Sequence, residues 1–195
     1  MQGLDTKILE NLRCWTRHPY TQLMTTPQPV SVVLEPWEYA HACDVGIRRY
    51  TANWSKRDAP HYKAEFMEDN RTAQVAAAIC ELAVAKYTNR YWHAHIWHLT
   101  EHEKYKHLPD VGTNIEVRRI RTTKAAATRQ HQLGKGLVIW VAEAVPPEFR
   151  EVTLYGWLKY DDAWEMGEPP AYDPDTTRVI HIHQLNDPTY RPKNA

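Results

Sequence analysis

The stretch LPDVGTNIEVRRIR, Leu108 to Arg121, sets Asp110, a turn at Gly112, Glu116 and three arginines in fourteen residues. Alternation along a strand puts Ile115 and Val117 on one face and Glu116 and Arg118 on the other, so the apolar pair seeks a core and the charged pair an open surface. If Gly112, Thr113 and Asn114 form a three-residue loop, Val111 faces Ile115 and Asp110 faces Glu116, with Cβ atoms roughly 4.5 to 5.5 Å apart. Carboxylates that close repel and shift each other's pKa unless a cation lies between them. The stretch therefore reads either as a hairpin with a solvated charged face or as a metal site with a basic lip, and the length of the turn decides.

Ligation by oxygen without thiolates suits Mg²⁺ or Mn²⁺, which keep several waters and bind phosphate oxygens as well. Such an ion activates water and stabilises charge developing on a phosphate. Around the hairpin, Arg118, Arg119, Arg121, Lys124, Arg129 and Lys135 form a local cationic cluster, while the chain from Glu143 onward is mainly acidic. The protein as a whole has 24 basic and 24 acidic residues. No global field draws it to nucleic acid or membranes, so affinity for phosphate has to be local.

The 195 residues are most simply one domain with an N-terminal extension. Eight Trp and eleven Tyr supply large amphipathic side chains, most of them for core and rim packing. Cys14, Cys43 and Cys80 are odd in number and far apart, which argues against a disulfide framework or a thiolate zinc site and fits a reducing compartment. The longest apolar run is too short to span a membrane, and the start MQGLDTKILENLRC lacks the pattern of a signal peptide. The expectation is a soluble cytoplasmic protein.

Residues 1–30 read as an appendage: a short helix over residues 5–15 with Ile8, Leu9, Leu12 and Trp15 on one side, then an extended Pro-containing segment. A helix is expected from Pro36, with Trp37, Ala40, His41, Asp44, Ile47 and Arg48 on a half-polar stripe. A stronger one covers Arg71 to Trp92, with Val75, Ala78, Ile79, Leu82, Ala83 and Tyr87 as its core face. Glu81 interrupts that apolar setting, either as a solvated flank residue or as a carboxylate aimed at a site. Strands follow in IEVRRIR, GLVIWVAEAV, EVTLYGWLKY and TRVIHIHQL. TTKAAATRQHQLGKG reads as a basic loop or short helix, and YDDAWEMGEPPAYDPDTT as an acidic loop. Residues 31–195 are thus expected to form a single α/β domain, helices preceding a mixed sheet.

The order of helix Glu81, then Pro109-Asp110, then Glu116-Val117-Arg118 resembles the PD-(D/E)XK nuclease superfamily. More closely, EPWEYAHACDVGIRRY, ICELAVAKYTNRYW, PDVGTNIEVRRIR, GLVIWVAE, LYGWLKYDDA and VIHIHQL resemble, in that order, a group of uncharacterised bacteriophage proteins usually assigned to it. The resemblance covers about Val30 to Pro188. It implies a nuclease-like core with a central mixed sheet flanked by helices, Mg²⁺- or Mn²⁺-dependent hydrolysis of nucleic acid, and DNA rather than RNA as substrate. Asp110 and Glu116 would be metal ligands, and Glu81 a helix-borne ligand or orienting carboxylate. Arg118 departs from the pattern, standing where the superfamily has Lys. It stays protonated at any relevant pH, so it stabilises phosphate and leaves activation of water to a metal-bound hydroxide. The alternative is a phage nucleic-acid-binding or virion assembly protein that keeps the fold without catalysis. The appendage is then the contact for a second copy or a phage partner.

A separate candidate lies in RYWHAHIWHLTEHEKYKH, which contains His93, His95, His98, His102 and His107. Within it, His98 to His102 fits the H-x-x-E-H pattern of inverted zinc metalloproteases, in which two His on one helix share a metal. The match is short and no clear third ligand follows. His181 and His183 share a strand face near the C-terminus. There is no Gly-rich phosphate loop, G-x-S-x-G elbow or Cys/His nucleophile pair.

Overall fold

A computed structural model describes residues 28–53, 69–105, 107–121 and 123–190. The helix expected over residues 5–15 lies outside the described residues.

Strand β1 (Val30–Val33), β5 (Glu151–Lys159), β4 (Val138–Ala144) and β2 (Ile115–Arg119) form a four-stranded sheet in the order β1-β5-β4-β2. β2 runs parallel to β4, and the other pairs are antiparallel, so the sheet is mixed. β4, VIWVAEA, is buried along nearly its whole length, as a continuous β-branched and apolar run should be when both sheet faces are covered. β2 is an edge strand.

Helix α2 (Asn70–Thr88) covers one face of this sheet, and α1 (Pro36–Ala52) packs on α2. Pro36 takes the first helical turn of α1, and Glu38 reaches back to accept the Glu35 N–H at 2.7 Å. Asp69 caps α2 by accepting the Thr72 N–H at 3.1 Å, and α2 ends where Asn89 turns left-handed at φ 54°. It therefore stops four residues short of Trp92, the expected end. Its Ala-rich surface is buried on most sides, with Ile79, Cys80, Ala83 and Val84 packed beneath Trp140, Val117 and Ile115.

The buried face of α1 is not the expected stripe. Ala42, Val45 and Gly46 are buried with Glu38, whereas Trp37 is 71% and Ile47 40% exposed, and Ala40, His41, Asp44 and Arg48 also face outward. The reason is close approach: a Cβ on Gly46 would overlap the backbone of Val75, so α1 meets α2 through its smallest side chains.

The opposite sheet face is covered by a two-stranded antiparallel sheet, β3 (Ala125–Arg129) with β6 (Thr177–His181), and by α4 (Tyr160–Met166). Ile120, Ile139, Val141, Leu158, Tyr160 and Ile180 form the core there. Two expectations are corrected here. The basic loop contains a strand, because Ala125–Arg129 gains a complete antiparallel ladder with β6 that outweighs the helical preference of three alanines. The acidic loop begins with a helical turn, α4, whose Tyr160 and Ala163 are fully buried. The last strand also ends earlier than its alternation suggests, passing into a 3-10 turn over Ile182–Gln184.

A bulge in β4–β5 falls at Val141/Ala142, opposite Gly156. Gly156 has φ 145°, and a Cβ there would collide with the carbonyl of Asn186, which pairs with Trp157. Among the described residues no helix is long and apolar enough to cross a membrane.

Candidate functional site

The turn at the head of β2 has the loop length that the hairpin reading required. Val111 bridges Ile115, with Ile115 N–H donating to Val111 O at 3.1 Å, so Gly112, Thr113 and Asn114 form the loop and Gly112 adopts φ 59°. The hairpin then stops, because β2 turns to pair in parallel with β4. Asp110 N–H still donates to the Ile115 carbonyl at 2.9 Å, but no bridge between Asp110 and Glu116 follows. The Asp110 carboxylate instead accepts the Val117 N–H at 2.8 Å, which holds it against the outer edge of β2 beside Glu116.

That edge opens into a cleft of about 480 Å³. α1 and α2 supply Arg49 and Glu81, the segment before the turn supplies His95 and Trp97, and β2 supplies Glu116, Arg118 and Arg119. Asp110 lines it too, with Arg129 and Gln132 on the β3 side. Three carboxylates and four arginines thus share one concavity in a chain whose net charge is zero.

Burial pushes the Asp110 carboxyl well above the usual carboxylate range, and the nearby charges of Glu116 and Glu81 push it further. The Val117 N–H and Arg118 oppose that shift without cancelling it. A group in this state gains from any added positive charge, and a bound divalent ion would pull it back toward ionisation.

Glu81 is the most tightly held of the three. Arg49 grips it with both terminal nitrogens at 2.6 and 2.8 Å, and the Trp92 indole N–H donates to it at 2.9 Å. With both oxygens engaged inside the protein, it fits the orienting role better than that of a ligand. Asp110 Oδ2 and Glu116 Oε1 are occupied, by the Val117 amide and by Arg118 at 2.9 Å respectively. The remaining oxygens of these two residues fit a hard cation that keeps most of its waters. Among the described residues no three His, Cys, Asp or Glu come together as a metal-holding group.

Arg118 is fixed from two sides: it pairs with Glu116 and donates to Gln132 Oε1 at 2.6 Å. Gln132 also accepts the Tyr160 hydroxyl at 2.6 Å, and that hydroxyl accepts the Arg129 N–H. Burial opposes the charge on Arg118, but Glu116, Tyr160 and Asp110 together outweigh it, and the guanidinium is held even more firmly protonated than usual. Its Nε–H is buried without a partner among the described residues.

The expected cationic cluster divides. Arg118, Arg119 and Arg129 line the cleft, whereas Arg121, Lys124 and Lys135 are not among its lining residues. Lys124 is tied to Glu143 and the Tyr155 hydroxyl, and Lys135 meets His107 Nδ1 at 2.6 Å. Arg121 is exposed.

The His-rich segment contributes one histidine to the cleft, His95, together with Trp97. His95 Nε2 donates to the Pro109 carbonyl at 3.2 Å, and Arg49 Nε holds the His95 carbonyl at 2.7 Å. Burial, with the neighbouring His93 and Arg49, lowers the His95 pKa, so the ring stays neutral with Nδ1 carrying the lone pair. His98 is exposed, its Nδ1 beside the Thr100 hydroxyl, and it precedes a 3-10 turn (Leu99–Glu101) that leads into the short α3 (His102–Tyr105). His98 and His102 therefore do not lie on one α-helix, the arrangement that H-x-x-E-H requires. His181 and His183 stack on each other at 5.6 Å and are absent from the cleft lining. Cys80 is buried with its thiol pushed up to about 12, a packing residue.

Arg49 and Gln132 were not singled out by the sequence, and His95 was named only as a member of the His-rich segment. The signal for Arg49 was present: an acid in the apolar setting of α2 needs a buried cation, and Arg49 follows Ala42, Val45 and Gly46 on the contact face of α1. Comparison with protein families, with characterised proteins and with solved structures found no match to this chain.

Proposed function

We propose that the cleft along β2 binds nucleic acid and hydrolyses its phosphodiester bonds with Mg²⁺ or Mn²⁺, as a PD-(D/E)XK-like nuclease. The observation that carries this reading is the convergence of Asp110, Glu116 and Glu81 with four arginines, which leaves the Asp110 carboxyl electrostatically unsatisfied. Asp110 and Glu116 would hold the ion, and bound there it would supply a nucleophilic water and charge stabilisation at the phosphate. Glu81, clamped by Arg49 and the Trp92 indole, keeps its side of the site ordered. Arg118, locked by Glu116 and Gln132, presents a fixed positive charge to a phosphate oxygen, the kind of preorganised group that favours a charged transition state. It cannot accept a proton. His95 is neutral and lines the same cleft, so it is the chain's own candidate for that task.

A second reading is a nucleic-acid-binding or assembly protein that keeps this fold without turnover. The Glu116–Arg118 pair favours it, since each charge is already satisfied by the other. One experiment separates the two: purified protein with single- and double-stranded DNA, with Mg²⁺ or Mn²⁺ or with chelator, beside Asp110→Asn and Glu116→Gln. Metal-dependent cleavage lost in both variants is the expected result. Cleavage that survives both removes the site assignment, and a parent protein that binds DNA without cutting it leaves the binding reading.

A further inference from the structure

The segment before the catalytic turn carries a row of rings that the core does not use. Tyr91, His93, His95 and Trp97 stand at every second position of an irregular stretch that turns left-handed at Ala94 (φ 50°), and none of them belongs to either buried core. Trp92, on the other side of the same stretch, is buried and bonded to Glu81. Successive ring centroids lie 5.2 Å apart from Tyr91 to His93, 5.0 Å to His95 and 5.5 Å to Trp97. Trp97 then stacks on Tyr105 at 6.2 Å, and Lys104 Nζ sits 4.8 Å from the Tyr105 centroid. One end of the row, Tyr91, is 73% exposed, while His95 and Trp97 line the cleft.

The row is bolted to the turn that bears Asp110. His93 N–H donates to Asp110 O at 3.1 Å, and Gly112 N–H to Tyr91 O at 2.8 Å. His93 Nε2 donates to the Gly112 carbonyl at 2.5 Å. These bonds fix the rings relative to the carboxylates, so a base resting on them sets the position of its own phosphate.

We propose that this row is a stacking platform for unpaired bases, and that nucleic acid enters the cleft as a single strand with its phosphates on Arg118, Arg119 and Arg129. The proposal rests on the nucleic-acid reading of the cleft and names the form of its substrate. In a duplex both faces of each base are already stacked, whereas an unpaired base offers a free π face to aromatic side chains. A basic groove lined by such rings is the general arrangement for holding single strands. The cleft, at about 480 Å³, is also of the size that accommodates small molecules, room for a nucleotide or two.

The test is binding without turnover. Labelled single-stranded DNA, the same strand in a duplex, and an abasic strand of equal length are titrated in chelator with full-length Asp110→Asn, which removes one carboxylate from the path of the phosphates. The single strand is expected to bind more tightly than the duplex. Adding Trp97→Ala should weaken single-strand binding about tenfold, Trp97→Phe should restore most of it, and abasic binding should stay within twofold throughout. Thermal unfolding identifies a variant that has lost its fold, in which case Tyr91→Ala at the exposed end gives the same comparison. Equal or tighter duplex binding, equal losses on base-bearing and abasic strands, or no binding to any of the three overturns the proposal. Because no metal is present, failure of cleavage in the nuclease assay leaves these outcomes readable.

Discussion

Removing Arg49 alone should unfold this protein more readily than removing Arg49 and Glu81 together. Their side chains are only 12% and 8% exposed, and Arg49 supplies two of the three hydrogen bonds to the Glu81 carboxylate. Arg49→Met leaves a buried anion with one indole N–H and with the Asp110 carboxyl nearby. Breaking a buried pair from one side costs about 3–5 kcal/mol, a large part of the roughly 5–15 kcal/mol that holds a domain folded. With a urea dependence of about 2 kcal/mol per molar, the unfolding midpoint falls by about 1.5–2.5 M. In Arg49→Met/Glu81→Met no charge is left uncompensated, so stability should return to within about 1 kcal/mol of the parent. The assay is equilibrium urea unfolding of the parent, both single variants and the double variant, read as a cycle. A cost below about 1 kcal/mol for Arg49→Met, or a coupling below about 0.5 kcal/mol, would refute the claim that this pair is a buried unit. The double variant should fold and yet lose cleavage if Glu81 orients the site.

Three further outcomes follow from the geometry. Asp110→Asn should stabilise the metal-free protein near neutral pH by roughly 1 kcal/mol, the scale of relief from opposed like charges. The folded-state pKa of Asp110 is raised, so its destabilising effect is absent below the unfolded value near 4 and grows as pH rises through the folded value. The gap between variant and parent should widen with pH over that window in urea unfolding and narrow when Mg²⁺ is added to the parent. Arg118→Ala should lower the rate of DNA cleavage about a hundredfold, as loss of one preorganised transition-state donor does, while Lys135→Ala outside the cleft stays within about twofold. Gly46→Ala should destabilise by about 1–3 kcal/mol in thermal or urea unfolding despite alanine's better helix propensity, because its Cβ would lie 2.8 Å from Val75 N.

What was legible in the sequence is what local chemistry alone determines. β4 and β5 declared themselves through β-branched runs, α2 through alanine and a 3–4 periodicity, and the loop between Val111 and Ile115 through its glycine. The elements that went unread depend on partners far along the chain. β3 is a strand because β6 lies beside it, β1 is four residues made a strand by pairing with β5, and α4 is decided by burial of Tyr160. The buried face of α1 was not legible because the contact uses Ala42 and Gly46 in place of larger apolar side chains, and a periodicity count weights the latter. In the site, Asp110, Glu116, Arg118 and Glu81 were found from spacing and resemblance, and all four line one cleft. Their pairing was not legible. That Arg49 would claim Glu81, and that the Asp110 carboxylate would cross to the Val117 amide, depends on tertiary packing.

The position of Asp110 has a consequence for how the protein keeps to itself. β2 lies at the rim of its sheet, where unpaired amides invite a strand from another molecule. Here the outward N–H of Ile115 is given to Val111 and that of Val117 to Asp110, while the Ile115 carbonyl accepts from Asp110 and Val111. The same carboxylate that opens a charged cleft therefore also seals the rim against strand addition. An apolar residue at position 110 would remove both at once, and self-association through β2 should accompany the loss of the site.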